Sequence, residues 1–375
     1  MAVYKIFPTK DATLYSLYPS MNTGLDAILE VSNIRNLELK PDVARYLIEF
    51  DTNEIKDIID NKILGKEFDV FLRNYISTAQ GINADVELEI FATAQSWNNG
   101  TGHYLDVPEV NDGVSWQFRD FFSGSSWDMS GNVGGYGFTG SFDPLNSIQG
   151  GGSFFTSSTL IPQVTESFGL RSNKDLELNV KEFAKLWYSG SIPNYGFLTK
   201  LSSSAEFHPS SSMQPILKYY SVDTNTIYPP QLEFRWRDYS LYSPSTSSIV
   251  NTKQIKLSLD DNQGEFQPSS INRFHVNVSP LYPTRNYQIT RSLFTNTNYL
   301  PTSSFYAIKD LSTDEFVINF DTQYTQISSD SRGNYFDVYM SGLEPERYYK
   351  ILIKTEIDGS TLILDDDYYF KVING

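Results

Sequence analysis

The chain has 375 residues, 15% of them aromatic, and its 29 basic against 45 acidic residues give a formal net charge of -16. This aromatic content excludes an intrinsically disordered chain, and the length predicts two domains. With no cysteine and three histidines, the composition excludes disulfides and thiolate metal sites and argues against a zinc enzyme, while the acidity argues against nucleic acid as a partner.

The N-terminus, residues 1–13, has no basic segment, no apolar core and no small-residue cleavage site. We therefore expect no signal peptide and a protein that is made and assembled in a cytosol. No run of 18 apolar residues occurs in the chain, so membrane insertion is not expected either.

Alternation of apolar and polar residues predicts an all-β fold with two short helices. In Ala84–Ile90 the apolar side chains recur at every second position, as in a strand with one buried face. A helical turn is predicted near Asp51–Asp60. A second helix is predicted from Asn179, which forms a capping-box pattern with Glu182, to a stop at Gly190.

Glycine and serine dominate Phe121–Ser158, with Phe and Trp inserted among them. The pattern indicates a β-rich insertion with tight turns. The run Gly131–Gly137 is followed by neither a GK[ST] motif nor a helical pattern, so it does not predict a phosphate-binding loop. No cofactor is predicted.

A domain boundary is predicted at residues 223–230, where Pro229 and Pro230 interrupt any strand. The domains are then residues 1–222 and 231–375, and a further division of the second near 295–303 is compatible with the sequence. Within the second domain, strands are predicted at Ile255–Leu259 and Arg273–Val278. Asp358-Gly359 between two apolar runs predicts a hairpin.

No catalytic constellation and no metal site are predicted. His103 and His208 lie in loop-like segments, and His275 falls on the polar side of its strand. Asp260–Gly264 is interpreted as a hairpin turn, because Ile271 stands where a calcium loop requires a glutamate. Asp365–Asp367 is interpreted as a solvated loop, with a weak cation site as the alternative.

Aromatic residues of a β-sandwich fill its core or stack on sugar rings. Trp116 and Trp127, which precede or lie in the Gly- and Ser-rich segment, are the least core-like of them in sequence. They therefore carry the ligand-binding hypothesis, together with Arg119.

Five blocks within residues 4–221 resemble, in order, the DNRLRE-type carbohydrate-binding β-sandwich family. They are Asp11–Val31, Arg45–Phe50, Trp97–Gly102 followed by Asp112–Trp116 and Arg119, Val180–Gly190, and Asn194–Phe197. The resemblance implies a jelly-roll-like sandwich and a carbohydrate ligand. It also implies fold-signature residues with a structural role, which are Asn22, Gly24, Trp97, Gly100, Gly102, Trp187, Asn194 and Gly196.

Residues 230–375 resemble the C-terminal region of structural proteins from tailed-phage virions. The segments that carry this likeness are Leu300–Asp310, Ser328–Phe336 and Gly342–Ile351. The expected fold there is a second, Ig-like β-sandwich.

Three functions compete on this basis. The first is a structural component of a tailed-phage virion, located in the neck, tail, baseplate or fibre attachment, with other virion proteins and further copies of the chain as partners. The second is an adhesion module that binds host glycans. The third, an enzyme acting on polysaccharides, ranks lowest because no acid/base pair stands out.

Overall fold

The structure is a computed structural model that is almost entirely β, as the alternating sequence predicts. The residues that it describes are 2–35, 41–82, 85–143, 148–156, 158, 160–207, 214–242, 249–282 and 297–374. Among these residues no helix is long and apolar enough to cross a membrane.

The chain divides into two compact units. The N-terminal unit comprises Ile6–Leu64 and Asp69–Glu233, and the C-terminal unit comprises Met1–Lys5, Gly65–Phe68 and Phe234–Gly375. The division after Glu233 lies three residues beyond the predicted linker. The two short segments that join the C-terminal unit were not predicted, because a division at one linker cannot assign pieces from elsewhere in the chain.

Sixteen labelled strands precede the division in the chain. They are β1 (Ala2–Ile6), β2 (Lys10–Tyr15), β3 (Ile28–Arg35), β4 (Pro41–Glu49), β5 (Phe68–Asn74), β6 (Ile76–Gln80), β7 (Val86–Ala92), β8 (Phe118–Asp120), β9 (Ser125–Ser126), β10 (Ser130–Val133), β11 (Tyr136–Asp143), β12 (Ile148–Phe155), β13 (Val164–Phe168), β14 (Leu176–Asn179), β15 (Phe197–Leu201) and β16 (Ile216–Tyr220).

The first predicted helix is present as α1 (Thr52–Asp57), which continues into a π-helical segment, Ile58–Ile63. Its N-terminus is capped by Asp51, whose side chain accepts a hydrogen bond from the backbone N–H of Asn53 at 2.8 Å. The buried side chains of both segments are isoleucines. Apolar spacing and a capping carboxylate thus explain where this element begins and which side it buries.

The second predicted helix is present as α2 (Lys181–Ser189), and it ends at Gly190 in the left-handed conformation, φ 71°. The N-cap position is Val180 rather than Asn179, although the Asn179 side chain still accepts a hydrogen bond from Lys181 N–H at 3.1 Å. A third helix, α3 (Ser203–Glu206), was not predicted, since one turn leaves no periodicity in the sequence.

An eight-stranded sheet forms the body of the N-terminal unit, in the order β13-β7-β15-β4-β3-β16-β6, with β2 also paired to β4. On one side of it lies a core that includes Leu47, Phe91, Trp97 and Leu198. Strands β10, β11 and β12 form a three-stranded sheet in the Gly- and Ser-rich segment. Its turn Gly134-Gly135 has positive φ at both residues, so the predicted insertion with tight turns is confirmed.

Ten further labelled strands follow. They are β17 (Gln231–Trp236), β18 (Ile255–Asp260), β19 (Glu265–Phe266), β20 (Ile271–Pro280), β21 (Ser304–Asp310), β22 (Phe316–Ile318), β23 (Ser328–Asp330), β24 (Gly333–Tyr339), β25 (Arg347–Ile357) and β26 (Ser360–Val372).

Two sheets of the C-terminal unit share one apolar core and make a sandwich. One has the order β18-β20-β24-β23 and the other β19-β26-β25-β21-β22. Phe274 and Phe336 from the first sheet and Tyr306 and Phe370 from the second lie in this core. The rings of Tyr306 and Phe336 stack with their centroids 4.3 Å apart, so aromatic side chains bridge the two layers.

The predicted hairpin at Asp358-Gly359 is confirmed, with φ of 50° and 66° at the two turn residues between β25 and β26. Two other interpretations, a hairpin turn at Asp260–Gly264 and a loop at Asp365–Asp367, are wrong. The chain after Asp260 adds β19 to the opposite sheet before β20 returns to pair with β18. Asp365–Asp367 belongs to β26 at a bulge, where Asp367 has φ 56° and Lys350 neutralises two of the three carboxylates.

Candidate functional site

Trp116 and Trp127 are core residues, which contradicts the interpretation of them as least core-like. Trp116 is fully buried and Trp127 is 5% exposed, and both pack in the core cluster of the N-terminal unit. The Trp127 indole N–H donates to Ser115 O at 3.1 Å. Of the predicted binding set, Arg119 reaches the surface, where its Nη1 donates to Ser96 O at 3.2 Å. The three side chains do not form a stacking platform.

The fold-signature residues at the start of the chain are brought together by the buried amide of Asn22. Its Nδ2 donates to Asn99 O (2.6 Å) and Val114 O (2.8 Å), and its Oδ1 accepts from the N–H groups of Gly24 and Gly102. A Cβ on Gly100 would lie 2.4 Å from this amide. These contacts tie together segments up to 92 residues apart in the chain, so their role here is structural.

The later signature residues surround the start of β15. Asn194 donates from Nδ2 to Phe50 O (2.8 Å) and accepts at Oδ1 from Gly196 N–H (3.0 Å). The Trp187 and Phe197 rings pack with centroids 4.8 Å apart. Trp97 is buried against the same region, and its Nε1 donates to Tyr195 O at 3.0 Å.

A cleft of about 390 Å³ opens in the N-terminal unit, within the size range of small-molecule sites. Three aromatic rings contribute to its walls, from Phe91, Phe154 and Phe207. The remaining lining is polar or small, and consists of Arg45, Glu89, Thr139, Gly140, Ser141, Gln163, Lys200, Ser203 and Glu206.

Strand register places the charges of this cleft side by side. Lys200 on β15 lies opposite Glu89 on β7. On the other side of β15, Thr199 pairs with Tyr46 of β4. Because the two strands are antiparallel, the next residue of β15, Lys200, lies opposite Arg45 of β4. Arg45, Lys200 and Glu89 therefore form a row across three neighbouring strands.

Helix α3 adds the carboxylate that matches Arg45. The guanidinium donates from Nε to Glu206 Oε1 (2.6 Å) and from Nη2 to Oε2 (2.9 Å), while Nη1 donates to Ser141 Oγ and Gly151 O, both at 2.7 Å. The Trp116 ring centroid lies 5.1 Å from the guanidinium carbon. A buried cation is tolerated here because its donors are matched by protein acceptors.

Lys200 is held in a similar way. Its ammonium donates to Glu89 Oε2 (2.5 Å), Leu201 O (3.1 Å) and Ser203 Oγ (3.4 Å). Its Nζ also lies 5.6 Å from the Phe91 ring centroid. The cleft thus combines one partly exposed ring, that of Phe207, with internally neutralised charges. That combination suits a polar, uncharged ligand held by stacking and hydrogen bonds.

The sequence did not indicate these four charged residues as a group. Arg45, Glu89, Lys200 and Glu206 lie up to 161 positions apart in the chain. Only the pairing of β4, β7 and β15, together with the position of α3, brings them together. One signal was present, since Lys200 interrupts the apolar strand Phe197–Leu201, all of which is buried. A charge on a buried strand requires a partner inside the protein.

Asp11 on β2 is a second buried charge position. It is 1% exposed; Oδ2 accepts from Val222 N–H at 2.7 Å, and Oδ1 has no hydrogen-bond partner. Burial, with smaller contributions from Asp223 and Asp26, raises the pKa of Asp11 to about 8. The carboxyl is therefore largely protonated at neutral pH.

The two described histidines, His103 and His275, do not assemble a reaction centre. His103 is exposed, with Nδ1 3.4 Å from Asp106 Oδ2, whereas His208 lies outside the described residues. His275 is 7% exposed, not on a wet face as predicted, and its Nδ1 lies 2.6 Å from Asp261 Oδ2. Within the described ranges, no group of three His, Asp or Glu side chains could hold a metal ion.

The C-terminal unit presents a second candidate surface, the outer face of the sheet β19-β26-β25-β21-β22. Its exposed apolar side chains include Tyr348, Ile363, Tyr369 and Phe316. Lysines of the same strands lie over aromatic rings of this face. We call this surface the outer sheet face.

Neither a family model nor a curated protein matches the chain. Among solved structures, the chain is similar to a DUF4785 family protein from Legionella pneumophila (9% identity, TM-score 0.18), over 99% of this chain and 62% of that one. It is also similar to a β-glucuronidase from Parabacteroides merdae (7% identity, TM-score 0.18), over 98% and 35%. The chain thus spans under two thirds of either, and likenesses at this TM-score carry no argument. The two family resemblances stay predictions.

Proposed function

We propose that the chain is a structural component of a tailed-phage virion that acts through protein–protein interfaces. The observation that carries the proposal is the outer sheet face, where Ile363 is 60% and Tyr348 55% exposed and where Tyr369 and Phe316 are exposed as well. Several exposed apolar side chains on one sheet face favour an interaction surface, and tyrosines are enriched at interfaces. The virion assignment itself rests on the resemblance of residues 230–375.

The chemistry of the cleft is compatible with a non-enzymatic role. Glu206 is committed to Arg45, and Glu89 is committed to Lys200. A general acid or base must exchange a proton with substrate during the reaction. Carboxylates held in ion pairs are better suited to stabilising the sandwich than to that exchange.

The proposal is tested on particles. We expect an epitope-tagged chain, produced during infection, to co-purify with intact virions on a density gradient. A gold-labelled antibody against the tag should then mark a defined part of the tail or neck in electron micrographs. A chain that stays in the soluble fraction and is absent from washed particles would overturn the assignment.

A second candidate function is glycan binding for host adhesion, which the cleft favours. The partly exposed Phe207 offers ring surface, and Gln163 and Thr139 offer hydrogen bonds, the two kinds of contact that hold sugar rings. The test is affinity electrophoresis in gels that contain bacterial surface polysaccharides, comparing Gln163→Ala with the matched control Gln117→Ala. Binding that is reduced in the first and kept in the second supports this function, and no retardation of the unmodified chain excludes it.

A further inference from the structure

We infer that the outer sheet face of the C-terminal unit is a two-fold self-association surface, whose partner is the same face on a second copy of the chain. The inference rests on the proposed function, because it names one of the protein–protein interfaces through which the virion component would act. Its basis is the pattern of charges and rings on β21, β25 and β26.

Register places these side chains in rows across the sheet. Lys350 lies between Lys309 on β21 and Tyr369 on β26, and Lys354 lies between Phe305 on β21 and Ile363 on β26. Because side chains two residues apart along a strand point the same way, Lys350 and Lys354 share the outer face. The first row therefore places two cations beside an aromatic ring, and the second places one cation between two apolar side chains.

The lysine ammonium groups lie over the rings beside them. The Lys354 ammonium lies 5.4 Å from the Phe305 centroid and 5.2 Å from the Phe320 centroid. That of Lys350 lies 5.5 Å from the ring of Tyr369. These contacts hold long side chains in fixed positions, so less conformational entropy would be lost when a partner covers the face.

Carboxylates are interleaved with the lysines. Lys350 pairs with Asp365 (2.6 Å) and Asp367 (2.9 Å), and Lys309 pairs with Asp314 (2.5 Å). Both members of such a pair are presented at one surface, which therefore carries both signs of charge in close alternation.

The mixture of both signs of charge favours a second copy of the chain as the occupant. In a two-fold contact each residue of a patch meets the same patch after rotation, so a patch with both signs can place each lysine against a partner carboxylate. A partner surface of one sign would instead meet like charges in part of the contact. The chain as a whole carries a net charge of -16, which disfavours self-contact through surfaces that are acidic throughout. The outer sheet face combines exposed apolar groups with internal charge matching, so it fits a second copy.

The test uses the full chain and its lack of cysteine. Single substitutions Thr361→Cys and Ile363→Cys, both at exposed positions of the face, create unique thiols. A two-fold contact brings positions near its axis close to themselves, so a short bis-maleimide should link at least one variant into a covalent dimer. Val107→Cys is the control, since Val107 is 97% exposed on the N-terminal unit.

The second measurement is the oligomeric state, by sedimentation equilibrium. We expect the unmodified chain to dimerise and Ile363→Asp to raise the dimer dissociation constant by about tenfold or more, because a buried carboxylate would replace an apolar contact. Val107→Asp should leave it unchanged. A monomer at every concentration tested, or a dimer that Ile363→Asp does not weaken and neither face thiol crosslinks, overturns the inference.

The two proposals fail separately. A chain that is monomeric in solution but present in washed particles removes the self-association surface and leaves the virion role standing. A chain that dimerises through this face but never enters particles removes the virion role and leaves the surface.

Discussion

Arg45 and Glu206 form a two-pronged ion pair inside the N-terminal unit, with both side chains at most 2% exposed. The pair joins β4 to α3 across 161 residues of sequence. Lys200 lies beside it, with Nζ 3.8 Å from Glu206 Oε2. Glu206 thus compensates two buried cations, and its charge is needed for both.

Glu206→Gln should therefore lower the free energy of unfolding by about 3–5 kcal/mol, as expected when one member of a buried pair is removed. Glu182→Gln is the matched control, because Glu182 pairs with Lys185 on the exposed side of α2 and is 62% exposed. The control should change stability by less than about 0.5 kcal/mol. Urea unfolding of both variants measures the difference, and equal effects would contradict this account.

Asp11 predicts a pH dependence of stability. Its folded pKa is raised to about 8 from an ordinary value of 3.8, so between these values the folded state keeps a proton that the unfolded state releases. The contribution of Asp11 to the free energy of unfolding is therefore fully present below the unfolded pKa. It declines as pH rises, by up to about 1.4 kcal/mol per pH unit, until the pH passes the folded pKa.

Asp11→Asn should remove that decline. The amide can still accept the hydrogen bond from Val222 N–H, and it cannot ionise. We expect the variant to be more stable than the unmodified chain at pH 8 and the two to converge toward pH 4, in urea titrations at several pH values. A difference that stays constant with pH would refute the assignment.

Substitution of Gly196 should add a steric clash to the cost of a left-handed backbone. Its φ is +82°, and a Cβ would lie 2.0 Å from Ile48 O, a backbone atom. Gly124 has a similar φ of +68° with no atom within 4 Å of the Cβ position. Gly124→Ala should cost about 1–2 kcal/mol for the left-handed backbone alone. Gly196→Ala should destabilise clearly more, as measured by thermal unfolding, and similar melting temperatures would contradict the predicted clash.

Trp116 predicts loss of stability rather than loss of a ligand contact. Its ring is fully buried and lies against Gly150 and Gly151, where an added Cβ would meet Trp116 atoms. Trp116→Ala should therefore lower stability by about 3–5 kcal/mol. Arg119→Ala, at a partly exposed position, should change it by about 0.5 kcal/mol or less. Calorimetry tests both, and an unchanged melting temperature for Trp116→Ala would contradict its place in the core.

The strands and the two longer helices were predictable because their patterns are local. Val86, Leu88 and Ile90 alternate with acidic residues, and the structure buries these three on β7. In α2, Phe183, Ala184 and Trp187 recur at helical spacing and are the buried residues. A period of two or of 3.6 residues is visible without knowledge of the rest of the fold.

The cleft and the two tryptophans were not predictable in this way. Trp116 and Trp127 stand among Gly, Ser and Asp, which suggests a wet loop, yet they are buried in the core that also holds Phe154 of β12. The Arg45–Glu206 pair depends on the register of β4 and the position of a one-turn helix. Such information lies in tertiary packing and not in local sequence.

The contact between Asp11 and Val222 has a consequence for the order of folding. It spans 211 residues. Strand β3 likewise pairs on one side with β16, which is made much later in the chain. Closing loops of this length is slow compared with forming the β25–β26 hairpin, whose turn has two residues. On the ribosome, the N-terminal unit is therefore expected to stay open and protease-sensitive until residue 222 has left the exit tunnel. Nascent chains stalled before and after that point would reveal the change by limited proteolysis.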